Sequence, residues 1–303
     1  MDVGESSYLQ LLESGVLKQR VETAKHHLES CDGCPLKCGV DRTRDKLGIC
    51  KTGALAQVSS FGPHYGEEAP ISGWRGSGTI FFARCNLRCV FCQNADISQI
   101  KFGQEINAGE LANIMLQLQE RGCHNINLVS PSHVIPQILE AVYIAAQKGL
   151  TLPLVYNTGG YDSLEMLELL NGVVDIYMPD MKYGDETIAK KYSLVNHYPQ
   201  INQAAVLAMH HQVGDLHIDQ NGIATRGLLV RHLVLPEGLA GSASILKFLA
   251  ENISSNVYLN IMSQYWPAHQ AKDYPELNHR IKQKEVQQAI MIAKKLGLKR
   301  LDT

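Results

Sequence analysis

The stretch F-F-A-R-C-N-L-R-C-V-F-C-Q-N, residues 81–94, decides how this sequence is interpreted. It places Cys85, Cys89 and Cys92 in the spacing C-x3-C-x2-C, directly after an apolar run that is typical of a buried strand. Three thiolates can hold a [4Fe–4S] cluster by three of its irons and leave the fourth iron open to a small molecule. The alternatives are a zinc site without its fourth ligand and three unrelated thiols, but no Cys or His follows Cys92 closely enough to complete a zinc site. The spacing therefore favours a cluster with an open iron.

The composition is that of an ordinary globular chain of 303 residues, with 45% hydrophobic residues and a net charge of −2. This length predicts one large domain, alone or with a small appendage. No basic cluster indicates a nucleic-acid partner, and no run of about 18 apolar residues predicts a membrane span. The N-terminus lacks the pattern of a signal peptide, so we expect a cytoplasmic protein that uses its cysteines for metal or redox chemistry rather than disulfides.

From residue 79 onward, short apolar runs alternate with helical patterns. The predicted strands are Thr79–Ala83, Ile126–Ser130, Pro153–Asn157, Val174–Pro179, Leu228–Leu235 and Val257–Met262. Helices are predicted over residues 107–122, 135–148, 163–170, 242–252 and 284–295, with two more within 185–213. Such β/α repeats predict an α/β fold, a partial (β/α)6 barrel or a strongly curved sheet. We predict a cysteine-rich metal-binding lobe over residues 1–70, the barrel over 71–268, and a C-terminal loop and helix over 269–303.

Chemical groups in such barrels sit where strands end, and the predicted strand ends are polar. They offer Ser130, Ser132, His133, Asn157, Thr158, Asp180, Lys182, Gln264 and Tyr265. Arg231 and His232 are adjacent on one strand, so only one of them should face the barrel interior. Glu67 and Glu68 lie in residues 62–78, which we predict to be a linker; they could line the site, but exposed linker carboxylates are the commoner case. Residues 269–280 are predicted to form a surface loop that could meet a partner protein.

Six segments between Gly73 and Pro267 resemble the pyruvate formate-lyase activating enzyme group of the radical S-adenosylmethionine (SAM) superfamily. They are G-S-G-T-I-F-F, C-N-L-R-C-V-F-C-Q-N, N-I-N-L-V, Y-N-T-G-G-Y, D-I-Y-M-P-D-M-K and R-H-L-V-L-P. The resemblance implies the barrel of that superfamily, with a [4Fe–4S] cluster whose open iron takes the amino and carboxylate groups of SAM. It also implies one-electron reduction to a 5′-deoxyadenosyl radical, with an electron donor such as flavodoxin or ferredoxin.

The same resemblance implies which residues contact the cofactor. Ser130 stands where a G-G-E motif often holds the methionyl amino group, although this sequence has S-P-S-H there. Asn157, Asp180 and Lys182 match polar contacts at the third and fourth strands. Arg231 matches a residue that can face the carboxylate or the ribose, and Phe91 an aromatic side chain near the adenine.

Cys31, Cys34, Cys38 and Cys50 form a second group, in the spacing C-x2-C-x3-C-x11-C. Four thiols this close can close a tetrahedral zinc site or fully ligate an iron–sulfur cluster, and both metals stay open, with the auxiliary cluster slightly favoured. The alternative is four separate free thiols. Cys123 is predicted to be a plain buried thiol.

Two classes of function remain open. The first is an enzyme that abstracts a hydrogen atom, either from a glycine of a glycyl-radical enzyme, as its activase, or from a small molecule. The second is a non-catalytic iron–sulfur carrier, which needs four ligands and no substrate cavity. The open iron and the polar strand ends favour the enzyme. An RNA-modifying enzyme is disfavoured because no basic, aromatic-rich stretch is present.

Overall fold

The computed structural model of this chain describes residues 6–101 and 103–303, and strands and helices alternate through most of them. The strands of this described part are β1 Ala56–His64, β2 Ser77–Phe82, β3 Gln104–Ile106, β4 Ile126–Val129, β5 Leu154–Thr158, β6 Ile176–Pro179, β7 His217–Ile218, β8 Ala224–Leu233, β9 Tyr258–Met262 and β10 Arg300–Asp302. The helices are α1 Tyr8–Glu13, α2 Val16–His26, α3 Ala69–Ser72, α4 Ala108–Glu120, α5 Ile135–Gln147, α6 Leu164–Leu170, α7 Glu186–Ser193, α8 Tyr198–Val213, α9 Ser242–Phe248 and α10 Gln283–Lys295.

The strands pair in the order β10-β9-β8-β6-β5-β4-β2-β1-β3, and β7 pairs with β8. From β2 to β10 along this order the pairs are parallel, whereas β1 is antiparallel to both β2 and β3. The six strands predicted from the sequence are β2, β4, β5, β6, β8 and β9. The predicted α/β fold with a partial (β/α)6 barrel and a cysteine-rich N-terminal region is therefore confirmed.

Local sequence explains why the helices begin where they do. Asn107 caps α4 by accepting a hydrogen bond from the Glu110 amide at 3.0 Å, and the Glu110 carboxylate accepts one from the Asn107 amide at 2.8 Å. This reciprocal pair is a capping box, and it fixes the start of the helix predicted from residue 107. The apolar faces of α4 and α5 then bury Leu111, Met115 and Leu139 in the main core.

The segment predicted as a linker over residues 62–78 is instead structured at both ends. Strand β1 runs through Pro63 and pairs antiparallel with β2, and α3 follows at Ala69–Ser72. Strand β3 covers only Ala56–Val58 of β1, so the outer edge of β1 is unpaired at Pro63, where a missing amide hydrogen costs nothing. Residues 59–64 of β1 are mostly exposed, so their sequence does not show the apolar pattern of a strand.

The N-terminal segment contributes to the same core. Tyr8, Leu17 and Val21 of α1 and α2 are buried against the apolar face of α5. The cysteine-rich loop lies between α2 and β1. The predicted domain limits at residues 70 and 268 stay a prediction. None of the described helices is both long enough and apolar enough to cross a bilayer.

Candidate functional site

The three-cysteine loop begins where strand β2 ends. Arg84, with a φ of 73°, turns the chain out of the strand immediately before Cys85. Farther along, the Arg88 and Val90 amides donate hydrogen bonds to the Ser193 and Tyr192 carbonyls, at 3.2 and 2.8 Å. These bonds fasten the loop to the C-terminal end of α7, so its position depends on a helix about one hundred residues away in the sequence.

Buried aromatic side chains surround this loop. Phe91 packs edge-on against Tyr183 and Tyr265, with ring centroids 6.2 and 5.9 Å apart. The same cluster contains Leu87, Cys89, Tyr161, Tyr192, Tyr198 and Leu277. The prediction of a surface loop over residues 269–280 is wrong in part, because the Gln270 amide donates to the Val90 carbonyl at 2.8 Å and Leu277 is buried in this cluster.

Each thiol of the loop has a hydrogen-bonding neighbour. The Leu87 amide donates to Cys85 Sγ at 3.4 Å, Ser193 Oγ donates to Cys89 Sγ at 2.9 Å, and Ser98 Oγ lies 3.2 Å from Cys92 Sγ. Burial raises the pKa of Cys85 to about 12 and that of Cys89 to about 11, while the nearby charge of Lys182 opposes the rise. Without metal, the thiols of Cys85 and Cys89 are therefore protonated, and metal binding would release their protons.

The arrangement of these sulfurs bears on which metal fits. Among the residues that the structure describes, no three His, Cys, Asp or Glu side chains are arranged to ligate one metal ion. A [4Fe–4S] cluster takes each thiolate on a different iron, so its ligands stand farther apart than those of a single ion. Three thiols in one loop can hold a cluster with an open iron, whereas a structural zinc ion would need a fourth ligand.

Polar side chains from neighbouring strands meet around Arg231 on β8. Its Nε donates to Asp180 Oδ1 at 3.1 Å, its Nη1 donates to Glu67 Oε2 at 3.2 Å, and its Nη2 donates to Asn157 Oδ1. Lys182 Nζ donates to the other carboxylate oxygen of Asp180. The structure thus brings Asn157, Asp180, Lys182 and Arg231 together. Their predicted role as cofactor contacts stays a prediction.

Opposite charges keep this group ionised despite its burial. Burial alone would raise the pKa of Asp180, but Lys182 and Arg231 hold it below its usual range. Burial likewise opposes the charge of Lys182, and the Asp180 carboxylate more than offsets it, so the pKa of Lys182 is raised. The site therefore presents fixed charges at neutral pH without help from bulk water.

The expectation that Glu67 and Glu68 are exposed linker carboxylates is wrong, because both side chains point into the protein. Glu67 accepts hydrogen bonds from Arg231 and, at 3.1 Å, from Asn127 Nδ2, and Glu68 accepts one from Asn260 Nδ2 at 2.7 Å. Both carboxylates precede α3, whose Ile71 is fully buried in an apolar cluster with residues such as Val155, Ile176 and Met178. Burial of Ile71 draws the carboxylates inward, and this apolar residue after E-E-A-P was the available sequence signal.

We call this group the polar layer; its members are Glu67, Glu68, Asn127, Asn157, Asp180, Lys182, Arg231 and Asn260. Two of its buried acceptors, Glu68 Oε2 and Asn127 Oδ1, have no hydrogen-bond partner among the described residues. A buried acceptor without a partner costs about 1–3 kcal/mol. A ligand that carries hydrogen-bond donors would remove that cost.

Two other predicted residues, Ser130 and His232, adjoin members of the polar layer. Ser130, with a φ of 58°, ends β4 and donates its amide hydrogen to the Asn157 carbonyl at 2.9 Å. His232 faces away from Arg231, as the alternation predicted, and its ring nitrogens contact Met181 O and Ser242 Oγ, each at 2.8 Å. Ser130 and Phe91 as cofactor contacts remain predictions.

Ser132 and His133 lie beside the N-terminal cysteines instead. A cavity between the cysteine-rich loop and the start of α5 is lined by Cys31, Cys34, Cys38, Cys50, Arg42, Ser132, His133 and Pro136 among others. Burial and the charge of Arg42 lower the pKa of His133 to about 3, so this imidazole is neutral. Burial, with the other three cysteines adding to it, raises the pKa of Cys34 to about 12.

The chain is similar in sequence to a protein family and to another protein of known sequence. A family model described as the radical SAM superfamily matches residues 79–218. An uncharacterised protein of Methanocaldococcus jannaschii is 31% identical over 298 residues, which cover 96% of this chain and 82% of that protein.

Similar solved structures include SuiB of Streptococcus suis bound to S-adenosylmethionine, with a TM-score of 0.48 and 11% identity over 72% of this chain and 47% of SuiB. HydG, a maturase of the [FeFe]-hydrogenase, has a TM-score of 0.47 and 10% identity over 71% of this chain and 47% of HydG. The chain spans just under half the length of either protein.

Proposed function

Because this chain belongs to the radical SAM superfamily, we propose that it is an iron–sulfur enzyme in which Cys85, Cys89 and Cys92 hold a [4Fe–4S] cluster. When bound, the cluster supplies one electron to the sulfonium of S-adenosylmethionine, whose cleavage yields a 5′-deoxyadenosyl radical that abstracts a hydrogen atom. The observation that carries the proposal is the three-thiol loop at the end of β2, in which Cys89 is buried and Cys85 and Cys92 are partly buried, with Lys182 of the polar layer beside it.

Lys182 links the two parts of this site. Its ammonium acts electrostatically on Cys85 and Cys89, while its Nζ donates a hydrogen bond to Asp180. A fixed positive charge beside thiolates stabilises the reduced, more negative state of a cluster, since local charge is one determinant of its potential. Lys182 therefore has two tasks, favouring cluster reduction and orienting the Asp180 carboxylate.

The polar layer supplies groups that match S-adenosylmethionine. Asp180 and Glu68 can accept hydrogen bonds from the ribose hydroxyls or the methionyl amino group, and Arg231 can bind a carboxylate. Asn157 and Ser130 lie at the adjoining strand ends, and Phe91 supplies an aromatic surface near the adenine. The buried tyrosines around Phe91 restrict water at the site, which protects a reactive intermediate from side reactions.

The substrate that we propose is a glycine residue of a partner protein, so that the chain acts as a glycyl-radical-enzyme activase with flavodoxin or ferredoxin as electron donor. The resemblance of the six sequence segments to pyruvate formate-lyase activating enzymes supports this assignment. A small-molecule substrate is the second candidate. It is favoured by the N-terminal cysteine-rich loop, which the shortest activases lack.

Iron analysis tests the cluster assignment. Anaerobically reconstituted protein in which Cys85, Cys89 and Cys92 are all replaced by Ala should bind about four fewer iron atoms than the wild type. Cys123→Ala is the matched control, because Cys123 is a buried cysteine outside both groups. An unchanged iron and sulfide content in the triple variant would refute the assignment.

Isotope transfer tests the substrate. A candidate partner protein carrying deuterium on its glycine α-carbons should transfer deuterium to 5′-deoxyadenosine if the chain is an activase. If 5′-deoxyadenosine forms but takes up deuterium only from a labelled small molecule, the activase assignment fails and the superfamily chemistry stands.

A further inference from the structure

The second group of cysteines gathers around one cavity although it comes from an irregular loop. Cys31, Cys34 and Cys50 are buried, Cys38 is partly buried, and all four line the cavity described above. Backbone hydrogen bonds hold the loop in place, from the Cys31 amide to the Val40 carbonyl and from the Gly39 amide to the Cys31 carbonyl, each at 2.9 Å. No disulfide links these thiols, so all four are available as ligands.

A buried cation stands beside these thiols. Arg42 is only 2% exposed, and its guanidinium donates to the Gly53 carbonyl at 2.9 and 2.8 Å and to the His133 carbonyl at 2.8 Å. Its Nη1 also lies 3.9 Å from Cys31 Sγ. In the described part of the chain no carboxylate forms an ion pair with it. A buried charge that is balanced only by carbonyl dipoles is costly, so a negative group close to Arg42 would stabilise the site.

A protonated thiol carries no charge, whereas a metal-bound thiolate is negative. A centre ligated by four cysteines carries a net negative charge, and the cavity wall places that charge beside Arg42. Zinc would need the four sulfurs to converge within about 2.3 Å of one ion. Zinc and a cluster would both supply the charge, and we assign a cluster because the C-x2-C-x3-C spacing of Cys31, Cys34 and Cys38 is that of the first cysteine loop in reverse order.

The cavity also adjoins the loop of Cys85, Cys89 and Cys92. Arg88 Nη2 donates to the Ile49 carbonyl at 3.4 Å, immediately before Cys50, and Leu36 packs against the aromatic cluster around Phe91. Asn86 Nδ2 donates at 2.7 Å to the carbonyl of Tyr161, a residue of the same cluster. The cysteine-rich loop therefore packs directly against the first cysteine loop and its aromatic cluster.

From this arrangement we propose that Cys31, Cys34, Cys38 and Cys50 ligate a second [4Fe–4S] cluster, with Arg42 as its buried counter-charge. This site goes beyond the proposed function, because its ligands and its cation are separate from those that would bind S-adenosylmethionine. Because the cysteine-rich loop contacts the first cysteine loop, we also expect that loss of the second centre makes the contact between Arg88 and the Ile49 carbonyl less ordered.

The test uses the full chain with Cys85, Cys89 and Cys92 replaced by Ala, reconstituted anaerobically with iron and sulfide and analysed for all metals. We expect about four iron atoms per chain and, after reduction by dithionite, an electron paramagnetic resonance signal of a reduced cluster. Adding Cys34→Ala and Cys50→Ala should abolish both, whereas adding Cys123→Ala should change neither. Zinc without iron, or a folded protein free of both metals, would overturn the proposal.

Two further measurements test the proposal by other readouts, and the first keeps it falsifiable if these variants fold poorly because it uses the wild type. The wild type should bind about eight irons, and a content of only four with full first-cluster signal would overturn the second site. In the triple variant, Arg42→Gln should shift the midpoint potential to more negative values, because a positive charge beside the cluster is lost, while Arg42→Lys should keep it near the parent value. Equal potentials for both substitutions would refute the role of Arg42. These readouts do not involve S-adenosylmethionine, so they can fail or succeed independently of the proposed function.

Discussion

Ser193 donates a hydrogen bond from its hydroxyl to Cys89 Sγ, with 2.9 Å between the two atoms. Tyr183 Oη lies 2.6 Å from the same Ser193 oxygen, and because the serine hydrogen points to sulfur, the tyrosine is the donor in that contact. The buried chain Tyr183–Ser193–Cys89 therefore points a hydroxyl hydrogen at a sulfur that we assign as a ligand of the cluster. Hydrogen bonds to cluster sulfurs are one of the determinants of the reduction potential.

We expect Ser193→Ala to lower the midpoint potential of the cluster on Cys85, Cys89 and Cys92, because the reduced state loses the stronger hydrogen bond. A net hydrogen bond of about 1 kcal/mol corresponds to about 40 mV for one electron. A redox titration followed by electron paramagnetic resonance measures the shift, with Ser14→Ala at the exposed end of α1 as control. Identical potentials for the two variants would show that the Ser193 hydroxyl does not act on the cluster.

Asp180 is the acceptor that joins Lys182 and Arg231. We expect Asp180→Asn to weaken S-adenosylmethionine binding by about 1–3 kcal/mol, the range for a hydrogen bond to a charged group, or roughly 5- to 150-fold in Kd. Isothermal titration of anaerobic, cluster-loaded protein measures it, and Asp219→Asn in an exposed turn is the control. Unchanged affinity in variants of Asn157, Asp180, Lys182 and Arg231 alike would mean that the cofactor binds elsewhere.

Glu67 holds the polar layer together from a distant segment. Glu67→Ala should reduce the free energy of unfolding by about 1–3 kcal/mol, because Arg231 and Asn127 lose a hydrogen-bond acceptor while Asp180 still pairs with Arg231. Glu67→Gln should cost less, since its amide oxygen still accepts from Asn127. Urea unfolding measures both, with the exposed Glu29→Ala as control. A Glu67→Ala variant as stable as that control would exclude a structural role for the carboxylate.

The strands of the barrel were predictable because they are buried on both faces. Strands β4 and β6 appear in the sequence as short apolar runs followed by polar residues, and the parallel order places those polar ends at one edge of the sheet. The two cysteine groups were equally visible, since ligand spacing is a local property of the chain.

Contacts across long sequence distances were not predictable. Glu67 and Arg231 are 164 residues apart, and Cys89 and Ser193 are 104 residues apart, so no local pattern relates them. Asn127 carried a weak signal, as an amide inside an otherwise apolar strand. Strand β1 was missed because only its first three residues, 56–58, are buried, and the alternation of apolar and polar residues stops at Ser59.

The free energy of unfolding should fall as the solution is acidified below about pH 6.5. Burial lowers the pKa of His133 to about 3 and also lowers the pKa of His232, so both are neutral in the folded protein and bind protons when it unfolds. The stability contribution is complete above the unfolded pKa and is lost as the pH falls towards the folded value. His133 alone accounts for about 1.4 kcal/mol between pH 7.5 and 5.5.

Urea unfolding at several pH values checks this dependence. The slope should be smaller in His133→Gln than in the wild type, whereas the exposed His26→Gln should keep the wild-type slope. Equal slopes for the wild type and His133→Gln would contradict the account of His133.

The central claim is that this chain cleaves S-adenosylmethionine reductively. The most direct measurement is anaerobic incubation of the cluster-loaded protein with S-adenosylmethionine and dithionite, followed by mass spectrometry of the products. We predict 5′-deoxyadenosine and methionine from the wild type and neither product from the variant with Ala at Cys85, Cys89 and Cys92. If a protein with an intact cluster and bound S-adenosylmethionine forms no 5′-deoxyadenosine, the enzyme assignment is wrong and the chain is an iron–sulfur carrier.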